Sequence, residues 1–205
     1  MSGSPTRAAA LRELIVKRPA LTTVEVLAGP VRGRVKTHLV TGYVHKPYPR
    51  IYALLARHAG FDSALIVRGV EGGVIPALSQ AGKAFRYRNR GEEEPVEFKP
   101  ADLDIDQPVR AARIPGQAAS EADEVPAVGA TLDTGAVAQA AAEAGLAALG
   151  GRPGPTRDSL VYAAALCLWH LGRHPSLGSA AQAVRGALDR GEGLERFRRM
   201  RQAAR

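Results

Sequence analysis

One run of residues restricts the fold more than any other. Residues 63–70 read SALIVRGV, a strand-length apolar stretch broken by a single arginine, Arg68. Such a run suits a strand buried on both faces of a sheet. Upstream, VKTHLVTGYVH (35–45) is rich in β-branched and aromatic residues and reads as another strand. KPYPR (46–50) turns the chain. RIYALLARHAG (50–60) then reads as an amphipathic helix, with Ile51, Leu54 and Leu55 on one side and Gly60 as its stop. Strand, helix and strand joined by short links make a βαβ unit, so the two strands should run parallel. The expected class is α/β.

Beyond this unit, KAFRYRNRGEEEPVEFKP (83–100) alternates in character and holds Gly91, which predicts a β-hairpin. The acidic ADLDID (101–106) reads as a short turn. Residues 107–134 carry Pro108, Pro115 and Pro126 and read as a linker. Three helices should follow. The first is the Ala-rich stretch 134–151, ended by Gly150 and Gly151. The second lies in RPGPTRDSLVYAAALCLWHLGR (152–173) and is strongly apolar. The third is capped by Ser176 and closed by Gly191, with Leu177, Ala181, Val184 and Leu188 inward. A short basic tail has Leu194, Phe197 and Met200 at helical spacing. At the other end, 6–18 reads as a helix carrying Leu11, Leu14 and Ile15, capped by Thr6 and stopped by Pro19. LTTVEVLAG (21–29) suits a strand or a short helix. The chain is expected to be one incomplete α/β domain with an atypical segment at 1–34, a core at 35–106 and helices at 135–205.

Composition narrows the function classes. The chain has 205 residues, 45% hydrophobic and 23% charged, which suits a globular domain rather than a disordered or fibrous one. Cys167 is its single cysteine, which excludes a disulfide framework and a four-cysteine zinc site. No stretch approaches the ~18 apolar residues of a membrane helix, and the start lacks a secretory core. A cytoplasmic protein without membrane contact is expected. The net charge is +8, unevenly spread. Residues 1–58 hold 10 basic and 2 acidic residues, 59–155 hold 9 and 14, and 156–205 hold 9 and 4. The basic excess therefore sits at both ends, where it suits phosphates, nucleic acid or acidic partners, or simply a solvated face.

Nucleophile and metal signatures are weak. His38, His45, His58, His170 and His174 are scattered, and Gly172 and Pro175 end the helix between the last two. No Gly-x-Ser-x-Gly occurs, and Cys167, Tyr162 and Trp169 read as packing residues. RGVEGG (68–73) is more informative, because open α/β sheets bind ligands beyond the carboxyl ends of their strands. There Gly69, Gly72 and Gly73 let backbone approach a ligand, Arg68 suits a phosphate and Glu71 suits a hydroxyl or a metal-bound water. The plainer alternative is a tight turn that needs glycine.

With these segments in place, the chain resembles the anthranilate phosphoribosyltransferase-like glycosyltransferase family. The matching stretches are VLAGPVRG (26–33), HLVTGYVHKPY (38–48), AGFDSALIVRGVEGG (59–73), KPADLDI (99–105), GPTRDSLVYAAALCLWHLGR (154–173) and SLGSAAQAVRGALDRGEGLERF (176–197). They occur in order. The resemblance implies part of a nucleoside phosphorylase/phosphoribosyltransferase-type catalytic domain that handles a phosphoribosyl diphosphate-like ligand with magnesium. Arg12 or Arg18 would correspond to an acceptor-binding arginine of the family. Two departures are plain. The family's helical domain and Gly-Thr-Gly-Gly-Asp loop have no counterpart in 1–34, and its acidic metal pair falls on Val74 and Ile75. Magnesium, which needs oxygen ligands, is therefore expected only if a partner chain supplies them.

Three expectations follow. The chain is a transferase-family protein working with a separately encoded N-terminal half, or a homo-oligomer. Alternatively it is a non-catalytic paralogue binding nucleic acid through Arg32, Arg34, Lys36, Arg196, Arg198, Arg199 and Arg201. Or it is a remnant with an exposed sheet edge that promotes association.

Overall fold

A computed structural model describes residues 27, 29, 31–113 and 133–204. The expected element at 6–18, that at 21–29 apart from Leu27 and Gly29, Arg12, Arg18 and most of the 107–134 linker lie outside the described residues.

The protein is α/β. Strand β1 (His38–Gly42) leads into helix α1 (Tyr48–His58) and strand β2 (Ser63–Val67). A 3-10 turn (Val70–Gly72) precedes β3 (Gly82–Tyr87) and β4 (Glu94–Phe98). A second 3-10 turn spans Pro100–Leu103. Helices α2 (Thr134–Leu149), α3 (Pro155–His170), α4 (Leu177–Asp189) and α5 (Glu192–Ala203) follow. The sheet order is β1-β2-β3-β4. β1 and β2 are parallel, as the βαβ reading requires, with His38 opposite Ser63. β3 is antiparallel to both β2 and β4, so the hairpin is also present.

β2 explains the layering. All five of its residues are buried. Its side chains alternate between faces, as the period of a strand demands. Ala64 and Ile66 pack with Tyr52, Ala53, Ala56 and Tyr87 on the α1 side. Leu65 and Val67 pack with Val161, Tyr162, Ala165 and Leu166 of α3 and with Ala180, Ala181 and Leu188 of α4. Helices thus cover both faces of the most apolar strand. No helix among the described residues is long and apolar enough to cross a membrane.

Two sequence expectations need correction. The helix at 50–60 was expected to turn Ile51 and Leu54 inward with Leu55, yet these are 43% and 62% exposed. Pro49, Tyr52, Ala53 and Ala56 are buried instead. The small side chains of Ala53 and Ala56 let the helix lie close on the sheet, and Leu55 packs at the margin of that core. The second strand was expected over 63–70, but it ends at Val67. Arg68 keeps one bond to the sheet, donating its N–H to Lys83 O at 2.9 Å. Glu71 and Gly72 then take left-handed φ values of 52° and 78°, which curl the chain away.

The helix starts are locally encoded. Asp133 Oδ1 accepts from the N–H groups of Gly135 and Ala136, each at 3.0 Å, and starts α2. Ser176 Oγ accepts from Ser179 N–H at 3.1 Å and starts α4, as expected.

Tyr162 offers a test of core chemistry. It is fully buried, with its ring edge-on to Phe98 at 5.7 Å. Its hydroxyl has no hydrogen-bond partner among the described residues, and burial pushes the phenol above its ordinary pKa. Removing an unpaired buried polar group recovers about 1–2 kcal/mol of desolvation. Tyr162→Phe should therefore leave the urea midpoint unchanged or raise it. A lower midpoint would mean that the hydroxyl has a partner.

Candidate functional site

The two ends of the sheet differ sharply in chemistry. At the carboxyl end of β2 lies the RGVEGG turn. Gly72 N–H donates to Gly69 O at 3.2 Å and Gly73 N–H to Val70 O at 2.9 Å. The turn folds back so closely that a Cβ at Gly69 would overlap the Gly73 carbonyl. A Cβ at Gly42 would overlap the carbonyls of Gly72 and Gly73. Close backbone packing thus accounts for Gly69 and Gly42 without a ligand.

The donor set there does not fit a magnesium–diphosphate. Glu71 is exposed and lies 3.9 Å from Arg110. Val74 is exposed and Ile75 half-buried, and neither carries an oxygen ligand on its side chain. Arg68 is exposed beside Tyr43, whose phenol is raised by burial, against the lowering influence of Arg68. Among the described residues, no group of three or more His, Cys, Asp or Glu is placed to hold a metal.

The opposite end carries a basic cleft of about 450 Å³, lined by Lys36, His38, Asp62, Ser63, Arg88, Asn89, His170, Leu171, Gly172 and Arg173. Topology explains why distant residues meet there. β1 and β2 are parallel, so His38 and Ser63 start side by side. β3 runs the other way and ends at Tyr87, delivering Arg88, Asn89 and Arg90 to the same end. α3 also ends there, at His170, and Gly172 turns the chain with a φ of 69°.

Inside the cleft runs a hydrogen-bonded chain. His38 Nδ1 lies 2.7 Å from Ser63 Oγ, and Ser63 Oγ lies 2.9 Å from His170 Nε2. Ser63 and His170 are 5% and 2% exposed, while His38 is exposed. His170 Nδ1 has no partner among the described residues. Burial, followed by the nearby Arg88, Arg86 and His38, holds His170 down to a pKa of about 4, so it is neutral at pH 7.

The charged groups of the rim are only partly neutralised. Lys36 Nζ donates to Asn89 Oδ1 at 3.2 Å. Arg88 Nη2 donates to Trp169 O at 3.0 Å, satisfying a carbonyl of the last turn of α3. Arg88 is lowered from the ordinary arginine value by burial and by Arg86. Arg173 is exposed, with no side-chain hydrogen bond or ion pair among the described residues. Asp62 is the acid among the lining residues. Its Oδ2 accepts the Thr37 N–H at 2.8 Å, and Arg90 Nε lies 3.6 Å from Oδ1. The Thr37 bond, then Arg90, His38 and Lys36, hold its carboxyl below the ordinary range.

Next to this cleft is a second hollow of about 380 Å³ lined by Arg86, Arg88, Trp169, Gly172, Arg173, His174 and Pro175. Arg86 stacks over the Trp169 ring at 4.0 Å and pairs with Glu94 at 2.6 Å.

The hairpin tip shows backbone strain at the rim. Asn89 and Arg90 both adopt left-handed φ, 49° and 58°. Arginine is a poor choice there, where asparagine or glycine is usual. It is held by Arg90 N–H donating to Asp62 O at 2.9 Å and by Arg90 Nη2 donating to Gly60 O at 3.3 Å.

The sequence-derived candidates divide accordingly. Arg68, Gly69, Glu71, Gly72 and Gly73 share the turn at the far end. Lys36 lines the cleft, and Arg32 stacks over Phe61 at 4.7 Å close to Gly60. Arg34 is exposed in the segment before β1. Arg196, Arg198, Arg199 and Arg201 are exposed on α5, with Arg199 3.6 Å from Glu195. Arg157 pairs with Asp189, which sets the end of α4 against the start of α3. α5 therefore begins at the far end of α3, about 24 Å of helix from the cleft. Arg88, Arg90 and Arg173 were missed. For Arg88 the signal was the alternation F-R-Y-R at 85–88, which puts Phe85 and Tyr87 on one face and Arg86 and Arg88 on the other. Arg90 follows in the turn, and Arg173 has no local signal.

No protein-family model matches the chain, and no curated protein matches it.

His170 makes folding stability depend on pH. Above its unfolded value of 6.5 it is neutral in both states and contributes nothing to the pH dependence. As the pH falls, the unfolded chain takes up the proton first, while the folded ring resists it down to about 4. Stability is therefore lost between pH 6.5 and 4, by at most about 3 kcal/mol at ~1.36 kcal/mol per pH unit. Urea unfolding across that range checks it, and His170→Gln should flatten the slope. An unchanged slope in the variant would assign the dependence to other groups.

Proposed function

We propose that this chain binds nucleic acid, holding phosphates on the basic rim around the Ser63–His170 cleft. One observation carries the reading. Lys36, Arg88 and Arg173, from three separate stretches of chain, converge on one cleft whose lining has Asp62 as its opposing acid. Arg32 and Arg90 extend the basic surface past Gly60. The affinity is electrostatic in origin and sequence-tolerant. Aromatic residues make up 5% of the chain, and the Trp169 ring is already covered by Arg86, so a base-stacking platform is not part of the reading.

Phosphoribosyl transfer, the activity implied by the family resemblance, gains no support from the RGVEGG turn. Gly69 has a packing reason and Gly72 a left-handed φ. The turn's one carboxylate, Glu71, faces Arg110 at 3.9 Å, and Val74 and Ile75 carry no oxygen ligand for a metal-bound diphosphate.

The test is binding of a fluorescein-labelled oligonucleotide, single- and double-stranded, at increasing salt. With roughly four phosphates engaged, log K should fall linearly with log salt, with a slope of about −3 to −4. Failure to bind either form at ~50 mM salt, where phosphate contacts are strongest, would overturn the proposal.

A further inference from the structure

The rim cations suit any phosphate chain, but their convergence on one cleft over a buried polar floor is more selective. We propose that it is a receptor for a phosphomonoester, the terminal phosphate of a strand, an inference that rests on the nucleic-acid reading above.

An internal phosphodiester carries one charge and must enter and leave the site on both sides. A terminal phosphate carries about −1.5 to −2 at pH 7 and presents three acceptor oxygens. The cleft matches the second pattern. Lys36, Arg88 and Arg173 line it from before β1, after β3 and after α3. Each keeps donors to spare. Lys36 has spent one N–H on Asn89 and Arg88 one on Trp169 O, and Arg173 has spent none among the described residues. Asp62 competes weakly, because its oxygens already face Thr37 N–H and Arg90. At about 450 Å³ the space falls in the ordinary range for small-ligand sites, ~300–1,000 Å³. It can admit the end nucleotide with its phosphate.

The buried floor supplies an independent observation. The Ser63 hydroxyl has one proton for two ring nitrogens, so it donates to one histidine and accepts from the other. When His38 Nδ1–H donates to Ser63, Ser63 donates to His170 Nε2, and the His170 proton sits on Nδ1. In the reverse direction Nδ1 is a bare lone pair. Either way a nine-tenths-buried polar atom is unpartnered. Such an atom is costly unless a further group or ordered water meets it. The two directions exchange which nitrogens of His38 and His170 carry the proton, so an anion set against this chain changes the surroundings of both rings.

A free mononucleotide offers the same phosphomonoester. The experiment therefore compares three oligonucleotides of one sequence, 5′-phosphorylated, 3′-phosphorylated and hydroxyl-ended, with adenosine monophosphate as a separate ligand. One phosphorylated form should bind at least about tenfold tighter than the hydroxyl-ended form. Arg173→Gln should abolish that preference, and Arg173 is exposed and unpartnered among the described residues, so the variant should fold. Ring ¹⁵N signals of His38 and His170 should shift on binding in the wild type. Equal affinity for all three oligonucleotides overturns the receptor and leaves general nucleic-acid binding standing. Binding of the mononucleotide but of no oligonucleotide keeps the phosphomonoester site and removes the nucleic-acid reading. Binding of none of them overturns both.

Discussion

Gly69→Ala is expected to cost the fold about 3 kcal/mol or more, among the largest losses a single methyl group can cause. The reason is space, since Gly69 has an ordinary φ of −89° that alanine readily adopts. A methyl group there would overlap the Gly73 carbonyl and lie 3.0 Å from Ile75 O. These are backbone atoms, so no side chain can swing aside. The turn is also pinned, because Val70 N–H donates to Ile75 O at 2.9 Å. Gly42→Ala should behave alike, since its Cβ would overlap the same turn from β1. Gly145→Ala in α2 is the control. Nothing lies within 4 Å of its Cβ, so helix propensity alone should raise stability by about 1 kcal/mol. Thermal and urea unfolding of the three variants measures this. A Gly69→Ala protein as stable as the wild type would mean that the turn opens freely, reviving a ligand-cradling role for its glycines.

The sequence carried the strand–helix–strand unit and the hairpin because each has a short-range signature. SALIV is apolar throughout and ended up buried throughout. RYRNRG brackets a turn, and the turn is there, with Gly91 N–H donating to Arg88 O at 2.9 Å. The inward face of α1 was harder. Ile51 and Leu54 point outward, while two alanines face the sheet, and periodicity cannot tell close packing by small residues from a bland outer face. The site was harder still. RGVEGG stood out because glycine and a strand end are local features. The cleft depends on Lys36, Ser63, Arg88, His170 and Arg173, separated by up to 137 positions. Only the strand directions and the end of α3 bring them together. The scattered histidines gave no metal spacing, and no local pattern joins His38 to His170 through a buried serine.

Neutralising the cleft separates specific convergence from general basicity. The protein with Lys36→Gln, Arg88→Gln and Arg173→Gln together should bind an oligonucleotide about 10²–10³-fold more weakly at moderate salt, at roughly 1–1.5 kcal/mol for each cationic group removed. Its salt slope should become shallower by about 2–3, close to one per residue replaced. Arg88 also holds the carbonyl of Trp169, so the triple variant sacrifices a structural bond. Lys36→Gln with Arg173→Gln spares it and should still give a slope shallower by about 2. The comparison is Arg196→Gln, Arg198→Gln and Arg201→Gln on α5. These remove as much charge, but from an exposed helix that begins about 24 Å of helix away. At ~0.15 M salt the screening length is about 8 Å, so their effect should stay within about threefold. Equal losses from the two sets would show that net charge, rather than the cleft, governs binding. A larger loss from α5 would move the interface to that helix.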